Sequence, residues 1–439
     1  MSAITAIRQT PDDGLDALLL ACPQLPPGPW AHVNALRADG HAELNTLTLP
    51  SLRDEAWRFT DLKPLTRMSI KPLRAASPIQ AADIAQFELP EAAIRLVFVD
   101  GIHAPHLSSS SVDNGGLVVA NLPEAMTAGA STVAAHLGRH QAIAGDIFTA
   151  LNNACLADAA VILVPRDRVL TAPVHVLFVA TREAVVSHPR CLLVAEPGSS
   201  VTLIEDYAAL LDAPYLSNPL TEIVLAEGAS VRHIRVQREG SEAFHIGSGT
   251  VSLGRSSSYQ SVSVSFGARI SRCSFKASLG EGAECTMDGL ALVTGSQLAD
   301  THSIVDHTMP HGTARQLHKC IAGGGARAVF NGRIMVRRGA QQTDSVQMSR
   351  NLLLSSKARI DTQPQLEIFA DDVKCAHGAT VAPLDEEEVF YLNSRGLGDK
   401  AARELLTYAF GAEIIERIPV ASLRGQLTRH MLAQTGAPS

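Results

Sequence analysis

Helical spacing of hydrophobic residues marks the beginning of the chain. One helical face is formed by Leu15, Leu18, Leu19 and Cys22, and a proline-rich stretch follows it. Strand-like runs are weak in this part of the sequence. The pattern therefore predicts a helical region over residues 1–90.

Short strand-like runs dominate the middle of the chain. The first is RLVFVDG at Arg95–Gly101, and from about residue 161 β-branched and aliphatic runs succeed one another. A helical interlude is expected between them, near residues 121–155. We expect the β region to cover residues 91–385.

A motif of small residues recurs within the β region. It has two small residues, any residue and a strand residue, and it begins at Gly198, Gly228, Ser256, Gly282, Gly325, Gly339 and Lys357. The intervals of 30, 28, 26, 43, 14 and 18 residues approximate multiples of about 14, whereas a further copy at Gly378 lies 21 residues on and does not fit. Such a repeat predicts a parallel β-helix with one unit per coil, because each coil buries its inward residues only by stacking on its neighbours. A β-sandwich of many short strands is the alternative that the pattern leaves open.

The spacing becomes helical again after residue 385. The acidic run Asp385–Glu388 suits a helix start, where negative charge complements the helix dipole. An apolar face follows at Ala402, Leu405, Leu406, Ala409, Phe410 and Ile414. We expect a helical region over residues 386–439, which is too short to fold alone and must cover the solenoid or meet a partner.

Composition excludes several classes of function. Aromatic residues make up only 4% of the 439 residues, so stacking platforms for sugars or bases are scarce. The 37 Lys and Arg against 44 Asp and Glu give a net charge of -7, which argues against a nucleic-acid binder. No apolar run approaches 18 residues, so we expect no membrane span. The seven cysteines are an odd number without a CxxC, which favours reduced thiols in a cytoplasmic protein.

The sequence lacks the common catalytic motifs. There is no Walker loop, no HExxH and no GxSxG, which argues against an enzyme of those classes. One enzymatic alternative is a β-helix carbohydrate lyase or hydrolase that uses the paired carboxylates of Asp371 and Asp372. Adjacent residues of a strand point to opposite faces, however, so these two carboxylates would not flank one bond.

Histidines are concentrated between residues 302 and 318. The cluster contains His302, His307, His311 and His318, but Pro310 prevents a helix from aligning them and their spacings match no zinc-ligand set. We expect these histidines to be solvated or held by structural hydrogen bonds.

A cysteine and a histidine stand two residues apart in the segment KCAHGAT. If the segment is a strand, Cys375 and His377 face the same side and lie close enough to bind one metal ion. Two ligands are not a complete tetrahedral site. We therefore expect a half-site, which another segment, another subunit or a transient ligand would complete.

Several segments resemble one protein family. The most specific stretch is Val329–Leu397, which contains KCAHGAT and VFYLNSRGL, and it is supported by EAWRFTDLKPL at Glu55–Leu65 and FTALNNACLADAAVILVP at Phe148–Pro165. These segments resemble the SufB/SufD family of the Suf iron–sulfur cluster assembly scaffold. The resemblance is closer to the SufD type, because SufB-type chains carry a cysteine just before the segment equivalent to NLLLSS, where this sequence reads SVQMSRN.

The resemblance implies a fold and a function. The fold is mainly β, with a right-handed parallel β-helix core flanked by N-terminal and C-terminal helical regions. The function is that of a non-catalytic scaffold subunit that pairs with SufB and docks the SufC ATPase, so that an ATP-driven rearrangement exposes cluster ligands at the interface. These ligands fall on Cys375 and His377, and SufB would complete the site.

The resemblance also implies further partners and cofactors. The SufC ATPase is expected on the C-terminal helical region, at Tyr391, Arg395, Gly396 and Leu397. The isolated chain is expected to bind no cofactor stably, whereas a nascent iron–sulfur cluster occupies the complex and a flavin is possible. Alone, the chain could form homodimers through an unpaired solenoid end.

Overall fold

The computed structural model describes residues 13–21, 25–71, 73, 75–139 and 145–435. Cys22, which was assigned to the first helical face, lies outside these residues. The α-helices of the described part are α1 (Asp13–Ala21), α2 (Ala31–Leu44), α3 (Lys63–Thr66), α4 (Leu122–Ala128), α5 (Ala130–His136), α6 (Ile147–Ala154), α7 (Glu386–Ser394), α8 (Asp399–Ile415) and α9 (Ala421–Thr435). Short 3-10 helices are formed by Glu55–Trp57, Ala81–Phe87 and Pro105–Leu107.

Strands occupy most of the chain between residues 94 and 383. The first eleven are β1 (Ile94–Val99), β2 (Ile102–His103), β3 (Ser111–Val112), β4 (Val118–Asn121), β5 (Ala160–Val164), β6 (Val174–Ala180), β7 (Val186–Ser187), β8 (Arg190–Ala195), β9 (Ser200–Ala209), β10 (Leu216–Ser217) and β11 (Leu220–Leu225). The others are β12 (Ser230–Arg238), β13 (Phe244–Leu253), β14 (Ser258–Ser265), β15 (Ile270–Leu279), β16 (Glu284–Val293), β17 (Leu298–His307), β18 (Thr313–Ala322), β19 (Arg327–Val336), β20 (Thr343–Leu353), β21 (Arg359–Ile368) and β22 (Val373–Pro383).

Two long sheets form the walls of a solenoid. One sheet has the order β2-β1-β6-β9-β12-β14-β16-β18-β20-β22, and the main path of the other is β21-β19-β17-β15-β13-β11-β8-β5-β4-β3. From β12 onward the chain alternates between the sheets, and each strand pairs in parallel with the strands of the neighbouring coils. The fold is a parallel β-solenoid of about eight turns with helical regions at both ends. This confirms the mainly β, β-helical prediction, and the β-sandwich alternative is wrong.

A full coil is longer than the motif spacing suggested. Ser200 pairs with Ser230, Ser230 with Ser258, and Ser258 with Glu284, so neighbouring coils are 30, 28 and 26 residues apart. The expectation of one 14-residue unit per coil is therefore wrong, since each coil contains two strands and two corners. The motif marks the corners, where residues such as Gly228 (φ 67°) adopt a left-handed backbone that glycine accepts without strain.

Alternate residues of each strand point into the lumen of the solenoid. In-register pairing stacks them into columns, one of which runs Val231, Tyr259, Cys285, Ala314, Ser345 and Cys375. The neighbouring column runs His233, Ser261, Met287, Gln316, Gln347 and His377. The early coils pack an aliphatic and aromatic core, whereas polar side chains occupy much of the later lumen.

The N-terminal helices and turns pack against the outside of the second sheet. Trp57 stacks on Phe148 of α6 and contacts the guanidinium of Arg272, which lies 3.9 Å from the indole ring centroid. Thr60 donates a 2.5 Å hydrogen bond to buried Asp300, which also pairs with Arg272. These ionic contacts outweigh the effect of burial and lower the pKa of Asp300 to about 2. The motif EAWRFTDL therefore fastens the N-terminal region to the solenoid.

The C-terminal helices cover the outside of the other sheet. Apolar residues of α8, α9 and their connection pack on β12, β14, β16 and β18; they include Ile414, Ile415, Ile418, Leu423, Leu427 and Met431. Lys319 anchors α8 by donating to the carbonyl oxygen of Phe410 at 2.8 Å and by pairing with Glu413. In the part of the chain described above, no helix is long and apolar enough to span a membrane.

Cysteine chemistry differs in part from expectation. Cys191, Cys273, Cys285, Cys320 and Cys375 are free thiols. Cys155, by contrast, is disulfide-bonded, so the expectation that all cysteines are reduced is wrong at this position.

Buried histidines predict how the stability of the fold depends on pH. Burial lowers the pKa of His188, His307 and His430 to about 4 and that of His318 to about 3. Their unfolded forms bind protons near pH 6.5, so their contribution to stability is complete above that pH and is lost as the pH falls. Between pH 6.5 and 5 the free energy of unfolding should decrease by up to roughly 1.4 kcal/mol per pH unit for each histidine.

Denaturant titrations at several pH values from 7.5 to 5 test this expectation. His318→Phe keeps an aromatic ring beside Phe330, on which His318 stacks at 4.3 Å, but removes one titrating group. The variant should therefore lose less stability on acidification than the unmodified chain. A free energy of unfolding that stays constant or rises over this range would contradict the assignment.

Candidate functional site

The last coil of the solenoid is open. Among the residues that the structure describes, β22 pairs only with β20 and β21 pairs only with β19, so each ends its sheet. The outer edge of each strand therefore carries backbone groups without a ladder partner, which favours addition of another strand. Apolar side chains are exposed beside this edge: Ile368 (40%), Phe369 (61%) and Val381 (42%). Together these features form a surface suited to contact with another polypeptide, which we call the open end.

Cys375 and His377 lie on β22, at this open end. Cys375 pairs in register with Ser345 and packs against the lumen core, so its thiol points inward. His377 pairs with Gln347, and strand alternation places it on the same face as Cys375, with their Cα atoms roughly 6.6 Å apart. Cys375 is half-buried and His377 is exposed. The two side chains thus share a face without being sealed inside the protein.

The surroundings of Cys375 favour the neutral thiol. Burial raises the pKa of the Cys375 thiol, and the nearby Asp344 carboxylate raises it further, although the backbone N–H of Ser345 opposes this change. A metal ion that binds this thiol would therefore have to displace its proton.

The cysteine–histidine pair is not a complete site by itself. Among the described residues, no group of three or more His, Cys, Asp or Glu side chains is placed to hold a metal ion. Asp371 and Asp372 precede β22 in an exposed bend, where the Asp372 carbonyl accepts a hydrogen bond from the backbone of Gln342. The paired carboxylates therefore belong to an exposed bend and not to the strand from which the expectation of opposite faces was argued.

The histidine cluster is dispersed by the fold. His302 pairs with Asp300 at 2.8 Å beneath the N-terminal region, while His307 is buried at the end of β17. His311 lies in a turn with φ 63°, and His318 stacks on Phe330 inside the lumen. His302 and His318 are thus held by an ion pair and by ring stacking. Both ring nitrogens of buried His307 lack a hydrogen-bond partner among the described residues, so the expectation of solvation or hydrogen bonding is wrong for this histidine.

The expected docking residues lie on and after α7. Asp385 caps this helix by accepting a hydrogen bond from the Glu387 backbone N–H, as its acidic start predicted. Tyr391 is 56% exposed, and the Arg395 guanidinium lies 5.2 Å from its ring centroid. Gly396, at φ 97°, ends the helix in a turn whose next residue, Leu397, donates its backbone N–H to the carbonyl oxygen of Leu392.

Sequence reasoning missed several residues at these surfaces. Phe390 is 74% exposed beside Tyr391, although the run VFYL directly after an acidic helix start offered a signal for it. Phe369 was missed because nothing in the sequence marks the last coil as uncovered. Ser345 and Gln347 were missed because their position beneath the cysteine–histidine pair follows only from strand register.

A cleft between the solenoid and α8 is large enough to be considered as a site for the flavin that the resemblance allows. It has a volume of about 730 Å³ and is lined by Ser355, Pro383, Glu386, Asp399, Arg403 and neighbouring residues. None of its lining side chains is aromatic, and charged groups surround it. This cleft therefore offers no stacking partner for the planar isoalloxazine ring, and we derive no step through a flavin.

The geometry defines a solenoid whose open end carries a cysteine and a histidine on one strand face, followed by a short helix with exposed aromatic side chains. Comparison with known proteins agrees with this class. Residues 178–410 match the SufBD core domain of the SUF system for FeS cluster assembly, and residues 28–176 match the SufBD N-terminal region. The chain therefore belongs to the SufBD family, whose members are scaffold-type proteins of iron–sulfur cluster assembly.

Individual relatives support the same assignment. An iron–sulfur cluster assembly SufBD family protein of Synechocystis is 40% identical over 413 residues, which cover 89% of each chain. The iron–sulfur cluster assembly protein SufD of Escherichia coli is 32% identical over 384 residues, covering 86% of this chain and 88% of its own. The chloroplastic protein ABCI7 of Arabidopsis thaliana is 30% identical over 397 residues, covering 87% and 82%. The resemblance inferred from sequence is confirmed.

Thiol accessibility at the open end can be tested by alkylation. Five free cysteines lie among the described residues. Cys191, Cys285 and Cys320 are buried, Cys273 is half-buried on the lumen side of β15, and Cys375 is half-buried in the uncovered last coil. Iodoacetamide should therefore modify Cys375 first, with a rate that still rises above pH 9 because burial raises its pKa.

Peptide mass spectrometry after short exposures would identify the modified residue. Cys375→Ser should abolish the fast phase, whereas Cys320→Ser should leave it unchanged. Faster modification of Cys320 or Cys285 would show that the last coil is covered or that the lumen opens.

Proposed function

We propose that this chain is a non-catalytic scaffold subunit that pairs through its open end with a SufB-type subunit. Cys375 and His377 supply part of the ligand set for a nascent iron–sulfur cluster, and the SufB-type partner supplies the rest. The observation that carries the proposal is the position of the ligand pair on an unpaired edge strand, beside exposed apolar residues. Without that partner, the same edge would favour homodimers.

We propose further that α7 and the turn after it dock a SufC-type ATPase. Phe390 and Tyr391 present two large apolar surfaces on one short helix, which is unusual for a surface that faces only water. Arg395, Gly396 and Leu397 shape the end of this helix. Such aromatic side chains are typical anchors of protein–protein interfaces.

The connection between the two surfaces suggests how ATP could drive assembly. β22 ends at Pro383 and α7 begins at Glu386, so two residues join the strand that carries the ligands to the helix that docks. A displacement of α7 by the ATPase would pull directly on β22. In this proposal, such a pull opens the interface and admits iron and sulfur to Cys375 and His377.

The cluster is cargo in this proposal and not a resident cofactor. The isolated chain holds no cofactor stably, and the chain works in the cytoplasm. Cys375 and His377 bind the growing cluster only while the interface is assembled, because two protein ligands alone cannot complete tetrahedral coordination.

Substitution of the ligand pair tests the scaffold's chemical role. Cys375→Ala and His377→Ala should each reduce cluster formation at least tenfold in a reconstituted complex, measured by visible absorption and iron content. Both variants should still co-purify with the partner subunits. Lys374→Ala, an exposed neighbour on the same strand, is the matched control and should retain activity. Full activity in both ligand variants would remove the ligand role and leave only a structural one.

Substitution on α7 tests the docking surface separately. Phe390→Ala and Tyr391→Ala should each weaken binding of the ATPase subunit by about 2 kcal/mol, or roughly 30-fold in Kd, because each removes an aromatic anchor. Isothermal titration calorimetry with the purified ATPase subunit would measure this change. Val169→Ser removes an apolar residue of 59% exposure elsewhere on the solenoid and should not alter binding. Unchanged affinity in both aromatic variants would place docking elsewhere.

A further inference from the structure

Two buried polar atoms without partners lie directly beneath the ligand pair. Ser345 and Gln347 are fully buried on β20, and the register places Ser345 under Cys375 and Gln347 under His377. The Ser345 hydroxyl and the Gln347 carbonyl oxygen, Oε1, make no hydrogen bond within the described part of the chain. A buried polar group left unpaired costs on the order of 1–3 kcal/mol, so two such groups at one place call for an explanation.

The side chain of Gln347 is held in a fixed orientation. Its amide Nε2 donates a 2.7 Å hydrogen bond to Gln316 of the preceding coil, and Gln316 in turn donates to Ser303 at 2.9 Å. A Cβ atom at Gly332 would lie 2.2 Å from Nε2, so only glycine leaves room for this arrangement across the lumen. Because the amide nitrogen is bound to the coil below, the oxygen is left for the coil above, which carries His377.

We propose that Ser345 and Gln347 are positioning residues for the ligand pair. When a metal ion binds His377 through one ring nitrogen, the N–H of the other nitrogen donates to Gln347 Oε1. When the Cys375 sulfur binds the same metal ion as a thiolate, the Ser345 hydroxyl donates to it. Strand spacing of about 4.8 Å places these side chains within reach of each other.

This arrangement has a chemical consequence for the site. A hydrogen-bond acceptor behind a ligating histidine fixes its tautomer and its ring orientation, and a donor to a thiolate stabilises the charged ligand. Loss of such a supporting group typically reduces metal affinity 10- to 100-fold. The inference rests on the proposed ligand role of Cys375 and His377, but it concerns different residues and can fail separately.

Cobalt binding to the full-length chain tests the inference without any assembly assay. Co²⁺ would be titrated while the thiolate-to-cobalt charge-transfer absorption is recorded. Gln347→Leu should raise the Kd 10- to 100-fold, whereas Gln347→Glu keeps an acceptor oxygen and should restore the Kd to within about threefold of the unmodified chain. Ser345→Ala should move the charge-transfer band to lower energy, because a donor to the sulfur has been removed.

A matched control lies on the same strand and face. Ser349 also points into the lumen, but its register partner is Ala379, which has no ligand atom. Ser349→Ala should therefore leave the cobalt affinity and spectrum unchanged, and circular dichroism would confirm that all variants remain folded.

The outcomes separate the two hypotheses. If Cys375→Ala and His377→Ala abolish cobalt binding while Gln347→Leu and Ser345→Ala have no effect, the positioning role is overturned, the ligand pair stands and ordered water satisfies the two buried atoms. If cobalt binding survives Cys375→Ala and His377→Ala, both hypotheses are overturned.

Discussion

In-register stacking of parallel strands is the constraint on which the rest of this structure depends. From β5 onward each coil repeats the position of the one below it, so residues that are 26 to 32 positions apart in sequence stand directly above one another. The side chain at any lumen position is thereby fixed by hydrogen bonds along the whole sheet. A side chain of one coil can therefore receive a hydrogen bond or a packing contact from the side chain at the same position of the neighbouring coil, without any additional loop or helix. Residues that act together in this chain are therefore neighbours in one column of stacked positions, although they are far apart in sequence.

The side chains that line the lumen differ between the early coils and the last coils. We relate this difference to the open end of the solenoid. In the early coils the buried Glu205 carboxylate is paired, because Thr221 donates to it and His233 bridges it to the Tyr259 hydroxyl. Near the last coil the lumen contains uncharged polar side chains, several of which lack partners. Unpaired groups deep in a closed core would destabilise it, but groups one coil from an open end can be satisfied when that end is covered. The chemistry of the lumen therefore favours a solenoid whose last coil is completed by another molecule.

Much of the architecture could be predicted from the sequence, for a definite physical reason. The corners need residues that accept a positive φ, and this need recurs in every coil, so Gly198, Gly228 and Gly282 mark the repeat. The coil length was misjudged because both corners of a coil use similar residues. Gly324 (φ 63°) turns the chain at the opposite corner, so the motif at Gly325 and the one at Gly339 report successive corners and not successive coils. Local sequence does not show on which side of the solenoid a turn lies.

The site was predictable only in part. Some of its features depend on residues that are adjacent in sequence, whereas others depend on strands that are distant in sequence. Cys375 and His377 lie on the same face of β22 because they are two residues apart in a strand, and a short segment is enough to predict this. The raised pKa of Cys375 and the groups beneath the pair depend on register with a strand 30 residues earlier. The exposure of Phe369 depends on the absence of a further coil. Such long-range features cannot be derived from a single segment, whatever its composition.

The C-terminal helices divide into a fixed part and a part that can transmit force. α8 and α9 bury a continuous apolar surface on the sheet, and Arg417 and Lys319 add ion pairs to Asp288 and Glu413, so their displacement would expose a large core. α7 buries only Val389, and a single exposed ion pair between Glu386 and Arg403 ties it to α8, so water and salt screen that contact. A partner that moves α7 would therefore break its weak contacts first. The load would then pass to β22, whose outer edge is free and which carries Cys375 and His377.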